Sequence, residues 1–282
     1  MRNPTPSPNA KVIFQTMLMS DLHLEYNDRD LSDFPVVAPY LILAGDIGRP
    51  DIASLENFLL IQCQRFEHIF YVAGNHCFYE GEYEDRLEQL YRLNNLDFRI
   101  HFLQNDTYLL PNKIRILGTI LWSHIPEETA GHIEKTHADY QRIERECEEN
   151  HVKFRRKLTV NDTNQWHAQQ HFWLLQEIDR ARQNHEHVII ITHHAPSRRD
   201  TCLQEDINIG HEHAYINDLE AECLDPVRLW VYGHTHRSTD MLINATRVVS
   251  NQLGYQGENC GYRPNMCICL YDDGTVIVND KM

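Results

Sequence analysis

Seven side chains with oxygen or imidazole donors stand where apolar runs give out: Asp21 and His23, Asp46, Asn75, His193, and His234 with His236. The set has no thiolate, so it suits Mn, Fe, Zn, Co or Ni and not a soft-metal or iron–sulfur centre. Seven donors are more than one tetrahedral ion can take. Two ions sharing a carboxylate would use them all. Such a pair, about 3.5–4 Å apart, can hold a hydroxide nucleophile and brace the attacking and leaving oxygens of an in-line displacement at phosphorus. The chemistry these residue types permit is hydrolysis of a phosphate ester.

The elements that must position them follow from periodicity. Runs that read as buried strands precede each group, at Val12–Met19, Tyr40–Ala44, 69–73, 188–191 and 229–232. Open sheets carry their sites at such carboxyl ends. In Gly233-His234-Thr235-His236, alternate residues leaving a strand can converge only if the backbone bends there. Residues 52–66 and 80–93 have apolar side chains at helical spacing and read as crossover helices of β-α-β units. More strands are expected at 100–103, 107–110, 114–120, 247–250, Met266–Tyr271 and 275–279, with Asp272-Asp273-Gly274 as a hairpin turn. These elements make an α/β protein of two packed sheets flanked by helices. A helix over 165–184 presents Trp166, Phe172, Trp173, Leu174 and Ile178, expected to pack on a sheet. Residues 125–163 are polar and charged, read as helical over 133–157, and form a cap insertion in a single domain spanning 11–282. Residues 1–10, rich in proline and asparagine, are expected to be a disordered start.

The blocks Asp21-Leu22-His23, Gly45-Asp46, Gly74-Asn75-His76, a lone His193 after a strand, and Gly233-His234-Thr235-His236 resemble, in order and spacing, the calcineurin-like metallophosphoesterases. Four longer stretches are similar to a subgroup labelled Ser/Thr phosphatase-like: Ser20-Asp21-Leu22-His23-Leu24-Glu25, Gly118-Thr119-Ile120-Leu121-Trp122-Ser123, Thr192-His193-His194-Ala195-Pro196 and Ser250-Asn251-Gln252-Leu253-Gly254-Tyr255. The resemblance covers about Phe14 to Tyr255. It implies the metallo-dependent phosphatase fold, a four-layer α/β/β/α sandwich of two mixed sheets flanked by helices, and two divalent or trivalent ions, with Mn, Fe or Zn foremost. By the same resemblance Asp21, His23 and His236 hold one ion, Asn75, His193 and His234 hold the other, and Asp46 bridges them. His76 matches the family histidine that protonates the leaving oxygen or stabilises transition-state charge. His194 has no ligand role in the shared pattern and reads as a hydrogen-bonding support or a substrate contact. Arg49, next to the bridging carboxylate, is a candidate for a phosphate oxygen, and Arg155 and Arg156 are candidates in the cap.

The expected reaction is hydrolysis of a phosphate mono- or diester through a metal-bridging hydroxide. A small phosphodiester is placed slightly ahead, because the terminal G-H-T-H is similar to that of small phosphodiesterases in the superfamily. A protein phosphatase is the first alternative, although Gly45-Asp46-Ile47-Gly48-Arg49-Pro50 departs from G-D-x-V-D-R-G and Cys77 stands where a glutamate follows G-N-H. A non-catalytic metal-binding scaffold is the second, although its usual mark, missing ligands, is absent. Twenty-six basic against forty-one acidic residues, a net charge of −15, disfavour long nucleic acids as partners. No apolar run is long enough to span a membrane, and residues 1–10 have no apolar signal core. Eight cysteines without a C-x-x-C pair suggest a reduced, cytoplasmic setting, with Cys267 and Cys269 on one face of a core strand. The remaining histidines read as surface or supporting groups, with His211 and His213 near enough to the site to face its cleft.

Overall fold

The computed structural model describes residues 5–26, 31 and 34–281. One six-stranded sheet runs β15 (Val276–Asp280), β14 (Met266–Tyr271), β1 (Val12–Met19), β2 (Tyr40–Ala44), β3 (His68–Val72) and β5 (Ile100–Phe102). Its last four strands are parallel, while β14 and β15 pair antiparallel at the edge. Parallel neighbours need a crossover. Two are helical here: α1 (Ala53–Cys63) links β2 to β3, and α2 (Tyr83–Arg92) lies between β3 and β5. A second sheet runs β12 (Asp240–Ile243), β13 (Thr246–Ser250), β11 (Val227–Tyr232), β10 (His187–Ile191), β7 (Ile114–Gly118) and β6 (Asp106–Leu110). Its four central strands are parallel and its two edges antiparallel.

Alternation along the strands explains the layers, because successive side chains point to opposite faces. On β2, Ile42 and Ala44 join a cluster with Ile189 and Ile191 of β10 and Leu229 and Val231 of β11, which is the seam between the sheets. Leu41 and Leu43 face the other way, onto Leu55 and Leu59 of α1. Val188 and Ile190 of β10 point outward onto Leu174, Ile178 and Ala181 of α5 (Val160–Gln183). The result is helix, sheet, sheet, helix. Each strand that feeds the site buries its last four residues, those of both faces alike, which is why these runs end in continuous rather than alternating apolar stretches.

The cap differs from expectation. Only its first part is helical, as α3 (Glu127–Thr136) and α4 (Asp139–Arg142). Residues 143–157, expected as helix, form the hairpin of β8 (Ile143–Glu149) and β9 (Val152–Lys157), which joins β4 (Gly81–Glu82) in a third sheet. The physical reason is a period of two hidden among the charges. Glu144, Glu146 and Glu148 stand opposite Lys157, Arg155 and Lys153. Asn150 and His151 turn the chain with φ of 49° and 65°, which a two-residue hairpin requires. The long helix begins at Val160, within the span assigned to the cap, where Thr159 and Asp162 form a reciprocal capping box. Of its aromatics, Trp166 stacks on Tyr83 at 3.9 Å and Trp173 packs against the outer cluster, but Phe172 is 63% exposed on the solvent face.

Residues 1–4 of the expected disordered start lie outside the described residues. Further along it, the Ser7 backbone N–H donates to Asp273 at 2.7 Å, laying residues 5–10 against the β14–β15 turn. All eight cysteines are free, and Cys267 and Cys269 share a strand face with sulfurs 3.8 Å apart. Among the described residues no helix is long and apolar enough to cross a membrane. Two short helices, α6 (Gln204–Asn208) and α7 (Glu212–Tyr215), follow β10 and reach the same end of the sheets as the cap.

Candidate metal centre

The seven donors sit at the carboxyl ends of β1, β2, β3, β10 and β11, and all but His236 are buried. Five of them are in the left-handed region: Asp21 at φ 56°, His23 at 48°, Asp46 at 52°, His234 at 75° and His236 at 49°. Such a conformation costs a non-glycine residue on the order of 1–3 kcal/mol. It is held by hydrogen bonds across neighbouring strand ends, from Asp21 N to Gly45 O (3.0 Å), His23 N to Asp46 O (3.0 Å) and Gly233 N to His193 O (2.9 Å). The bends turn side chains that would alternate across a strand toward one point. That is the local reason D-x-H and H-x-H each deliver two donors.

Two glycines let the strand ends approach. A Cβ on Gly74 would lie 2.0 Å from Asp46 Oδ1, and one on Gly45, itself at φ 88°, would lie 2.1 Å from His193 Nδ1. The glycines before Asp46 and Asn75 are therefore contact points of the site.

The donor atoms of Asp21, His23 and His236 lie within 4.8 Å of one another, as do those of Asp46, His193 and His234. Protonation favours a cation between them. His23 Nδ1 donates to Glu25 Oε1 (3.1 Å) and His236 Nδ1 to Glu258 Oε2 (2.6 Å), since a carboxylate only accepts. The two Nε2 atoms, 3.0 Å apart, then turn lone pairs on each other. On the other side His193 Nδ1 donates to Ala44 O (3.0 Å), so its Nε2 faces the acceptors Asn75 Oδ1 (3.0 Å) and Asp46 Oδ2 (3.5 Å). His234 Nε2 donates to Ala214 O (3.3 Å), which frees Nδ1 as a ligand. The His23 and His236 lone pairs repel unless a cation lies between them; on the other side burial would lower the His193 imidazole, but Asp46 raises it to about 9, drawing positive charge to where its Nε2 meets two acceptors, so the residues fit a metal pair. Burial would raise the Asp46 carboxyl, but the His193 and His76 imidazoles hold it well below the usual carboxylate range. Burial and the neighbouring histidines keep the His234 imidazole neutral, as a ligand must be.

His76 lies beside this set, Nε2 4.0 Å from Asp46 Oδ2, and lines a cleft of about 420 Å³ over the candidate ligands. Its Nδ1 donates to Glu25 Oε1 (3.1 Å), the same oxygen that His23 uses, and its Nε2 faces the Tyr255 hydroxyl (3.1 Å). The acid that orients this histidine therefore comes from Glu25, two residues past the D-x-H block. Cys77 lies elsewhere, its sulfur 3.2 Å from Tyr71 OH, and burial pushes the thiol up to about 12.

The other substrate candidates are not gathered here. Arg49 is tied to Asp51 through two bonds (3.1 and 2.7 Å), Arg156 to Asp162 (2.6 and 2.9 Å), and Arg155 reaches Asp85 at 3.5 Å; none lines the cleft. His194 is fully buried behind the centre, its ring 4.3 Å from that of His234, and burial holds it neutral. It supports a ligand and does not face the cleft. His211 does line the cleft, whereas His213 faces a separate pocket with Arg198.

Several residues the sequence reading did not assign do contribute. Glu25 and Glu258 orient ligand histidines, Tyr255 and Tyr79 flank His76, and Asp139 of the cap accepts from Asn75 Nδ2 (2.8 Å) and Tyr79 OH (2.7 Å). Glu25 alone had a local signal, its alternation with Asp21 and His23. Asp139 and Glu258 lie 64 and 22 residues from their partners, beyond any spacing rule.

A sequence profile of the calcineurin-like phosphoesterases matches residues 14–238. A protein of Acanthamoeba polyphaga mimivirus, "Uncharacterized protein L509", is 33% identical over 268 residues, covering 87% of this chain and 93% of its own. Two solved structures are similar in fold at low identity. The phosphopantetheinyl hydrolase PptH of Mycobacterium tuberculosis matches at TM-score 0.57 and 16% identity, over 86% of this chain and 89% of its own. A dimetal phosphatase from Danio rerio matches at TM-score 0.52 and 12% identity, over 95% and 99%.

Proposed function

The chain belongs to the calcineurin-like phosphoesterases, and from that premise we propose that it hydrolyses a small phosphate ester at this centre, with His76 serving the leaving oxygen. Asp21, His23 and His236 would hold one ion, Asn75, His193 and His234 the other, with Asp46 between the two. When bound, the ions would supply positive charge for the phosphoryl oxygens and lower the pKa of a nucleophilic water. The observation that carries this reading is the convergence of imidazole nitrogens, His23 and His236 on each other and His193 on the oxygens of Asn75 and Asp46.

The side chains do the rest. Glu25 fixes the His76 tautomer by accepting from Nδ1, so Nε2 is the nitrogen that carries or takes the proton beside the cleft. Stacking on Tyr79 at a 4.1 Å centroid distance keeps the ring from rotating away. A size limit supports a small substrate. Thr136 of α3 and His211 both line the cleft and are joined at 2.8 Å, so two of its walls meet. A pocket of about 420 Å³ suits a metabolite-sized ligand and leaves little room for a folded phosphoprotein.

The test is hydrolysis of bis-p-nitrophenyl phosphate and p-nitrophenyl phosphate side by side, after chelation and re-addition of Mn. The expected result is turnover that needs metal and falls about 100-fold or more in His76→Ala with metal content unchanged. Preference for the diester would support a phosphodiesterase and preference for the monoester a phosphatase. Two bound metals with no turnover of either compound, or turnover indifferent to His76, would overturn the mechanism.

A further inference from the structure

Beyond the metal ligands, the cleft is walled by the cap and by the segment after β10. Among the described residues that line it, Arg142 is the one guanidinium. It sits at the end of α4, whose other end is anchored to the centre by Asp139, bonded to Asn75 and Tyr79. The placement of Arg142 is thus tied to a metal-ligand residue through four residues of helix. Its guanidinium lies over the Tyr79 ring at 4.4 Å, and the same ring stacks on His76 at 4.1 Å. One aromatic ring therefore touches both the group that serves the leaving oxygen and a fixed positive charge.

The guanidinium is also oriented. Nε donates to Glu80 Oε1 at 2.7 Å, and Tyr26 bonds the group as well. Neither partner lines the cleft. A guanidinium has five N–H donors in a plane, so an ion pair through Nε fixes that plane without exhausting it. The acids of the cleft lie elsewhere: Asp46 is among the metal ligands, Glu258 accepts from His236, and Asp206 lies toward His137.

Resting on the phosphoesterase reading, we infer that Arg142 is a specificity-determining residue, which recognises a second anionic group on the leaving alcohol about one aromatic ring away from the scissile phosphate. The substrate class is then a phosphate ester whose alcohol carries a carboxylate or a further phosphate. A planar fork receives either, and charge-assisted bonds of this kind contribute about 1.5–3 kcal/mol each.

The experiment uses three phosphonates, which have no ester bond to break: phenylphosphonate, 4-carboxyphenylphosphonate and 1,4-phenylenediphosphonate. Their affinities for the Mn-loaded protein are measured by calorimetry, for the natural sequence and for Arg142→Gln, Arg142→Lys and Arg142→Glu. The two probes with a second anionic group should bind about 10–100-fold more tightly than phenylphosphonate, and whichever gains more identifies the carboxylate or phosphate source. Arg142→Gln should remove that ratio, Arg142→Lys should keep part of it, and Arg142→Glu should reverse it. Equal affinity for all three probes, or a ratio that survives Arg142→Gln in a protein of unaltered melting temperature, overturns the inference while leaving the phosphoesterase reading intact. Absence of metal-dependent phenylphosphonate binding would instead strike the reading itself, and the inference with it.

Discussion

The floor and the cap wall of the cleft are built by opposite means. On the floor, polar donors are forced into left-handed backbone at the ends of strands whose last four side chains are all buried, and two glycines bring those ends within contact. The strain is over-determined by two sheets and a shared core. In the cap, half-exposed strands are matched by opposite charges, and the link to the floor is a handful of side chains, above all Asp139 on Asn75 and Tyr79. The contrast teaches that the fold itself brings the donors together, whereas the cap wall is attached to it by a few contacts and can be altered piecemeal.

The severest way to break the contrast is to disturb the floor without touching a ligand. Gly74 has φ −109°, which alanine accepts, so Gly74→Ala tests close approach alone. Its Cβ would occupy space held by Asp46 Oδ1 (2.0 Å) and the Asp46 backbone nitrogen (2.4 Å), and the latter cannot swing aside. Displacing Asp46 by even an ångström should cut activity about 100-fold or more. Overpacking should also cost about 1–3 kcal/mol of stability. Turnover and metal content by mass spectrometry check this, and near-normal values for both would show that the floor is more pliant than its geometry.

The same difference decided what was legible beforehand. Strand runs apolar on both faces stood out, and the donors after them kept their order, so the sandwich and the end of it where the seven donors meet could be read from Asp21 to His236. The cap could not be read that way, because Glu144, Glu146 and Glu148 satisfy a helix face about as well as a strand edge until their partners Lys157, Arg155 and Lys153 are known. Charge at Arg155 and Arg156 suggested a substrate role, yet charge alone does not say which way a side chain points. Arg142 looks no different in sequence and reaches the cleft only because Asp139, one turn earlier, is bonded to the floor. Phe172 shows the converse, an aromatic on a long helix that stands 63% exposed on the face turned to solvent.

Cutting the link between the two regions should have an intermediate effect. Asp139→Ala removes the acceptor that turns Asn75 so that its oxygen faces His193, and it frees Tyr79 OH. Losing an outer partner of a metal ligand typically costs about 10–100-fold in metal affinity or activity. The Mn concentration that half-restores activity to the chelated protein should rise by that amount for the ion that Asn75, His193 and His234 would hold. An unchanged Mn requirement would mean that Asn75 is positioned by the floor alone.

The smallest effect on turnover, and one of stability instead, is expected within the cap at Asp162. This buried carboxylate accepts from Arg145 (2.5 Å) and from Arg156 (2.6 and 2.9 Å), and from Thr159 N (2.9 Å) at the start of α5. Burial would raise its pKa, but those donors, Arg156 first, hold it well below the usual carboxylate range. A depressed folded-state pKa stabilises the protein above the unfolded value, near pH 4 for an aspartate, and the contribution fades as pH falls toward the folded value. Asp162→Asn should therefore lower stability by about 2 kcal/mol at neutral pH, from a lost helix cap and charge-assisted bonds. Turnover of a phosphate ester with an uncharged aryl alcohol should change little, because Asp162 does not line the cleft and its partners Arg145, Arg156 and Thr159 are not among the seven donors. Melting temperatures across pH decide the matter: the gap between the natural protein and Asp162→Asn should be full at pH 7 and narrow steadily below about pH 4, where the unfolded chain's Asp162 takes up a proton that the folded carboxylate still refuses. A gap independent of pH would place the stabilisation in packing, and the cap would then resemble the floor more than its charges indicate.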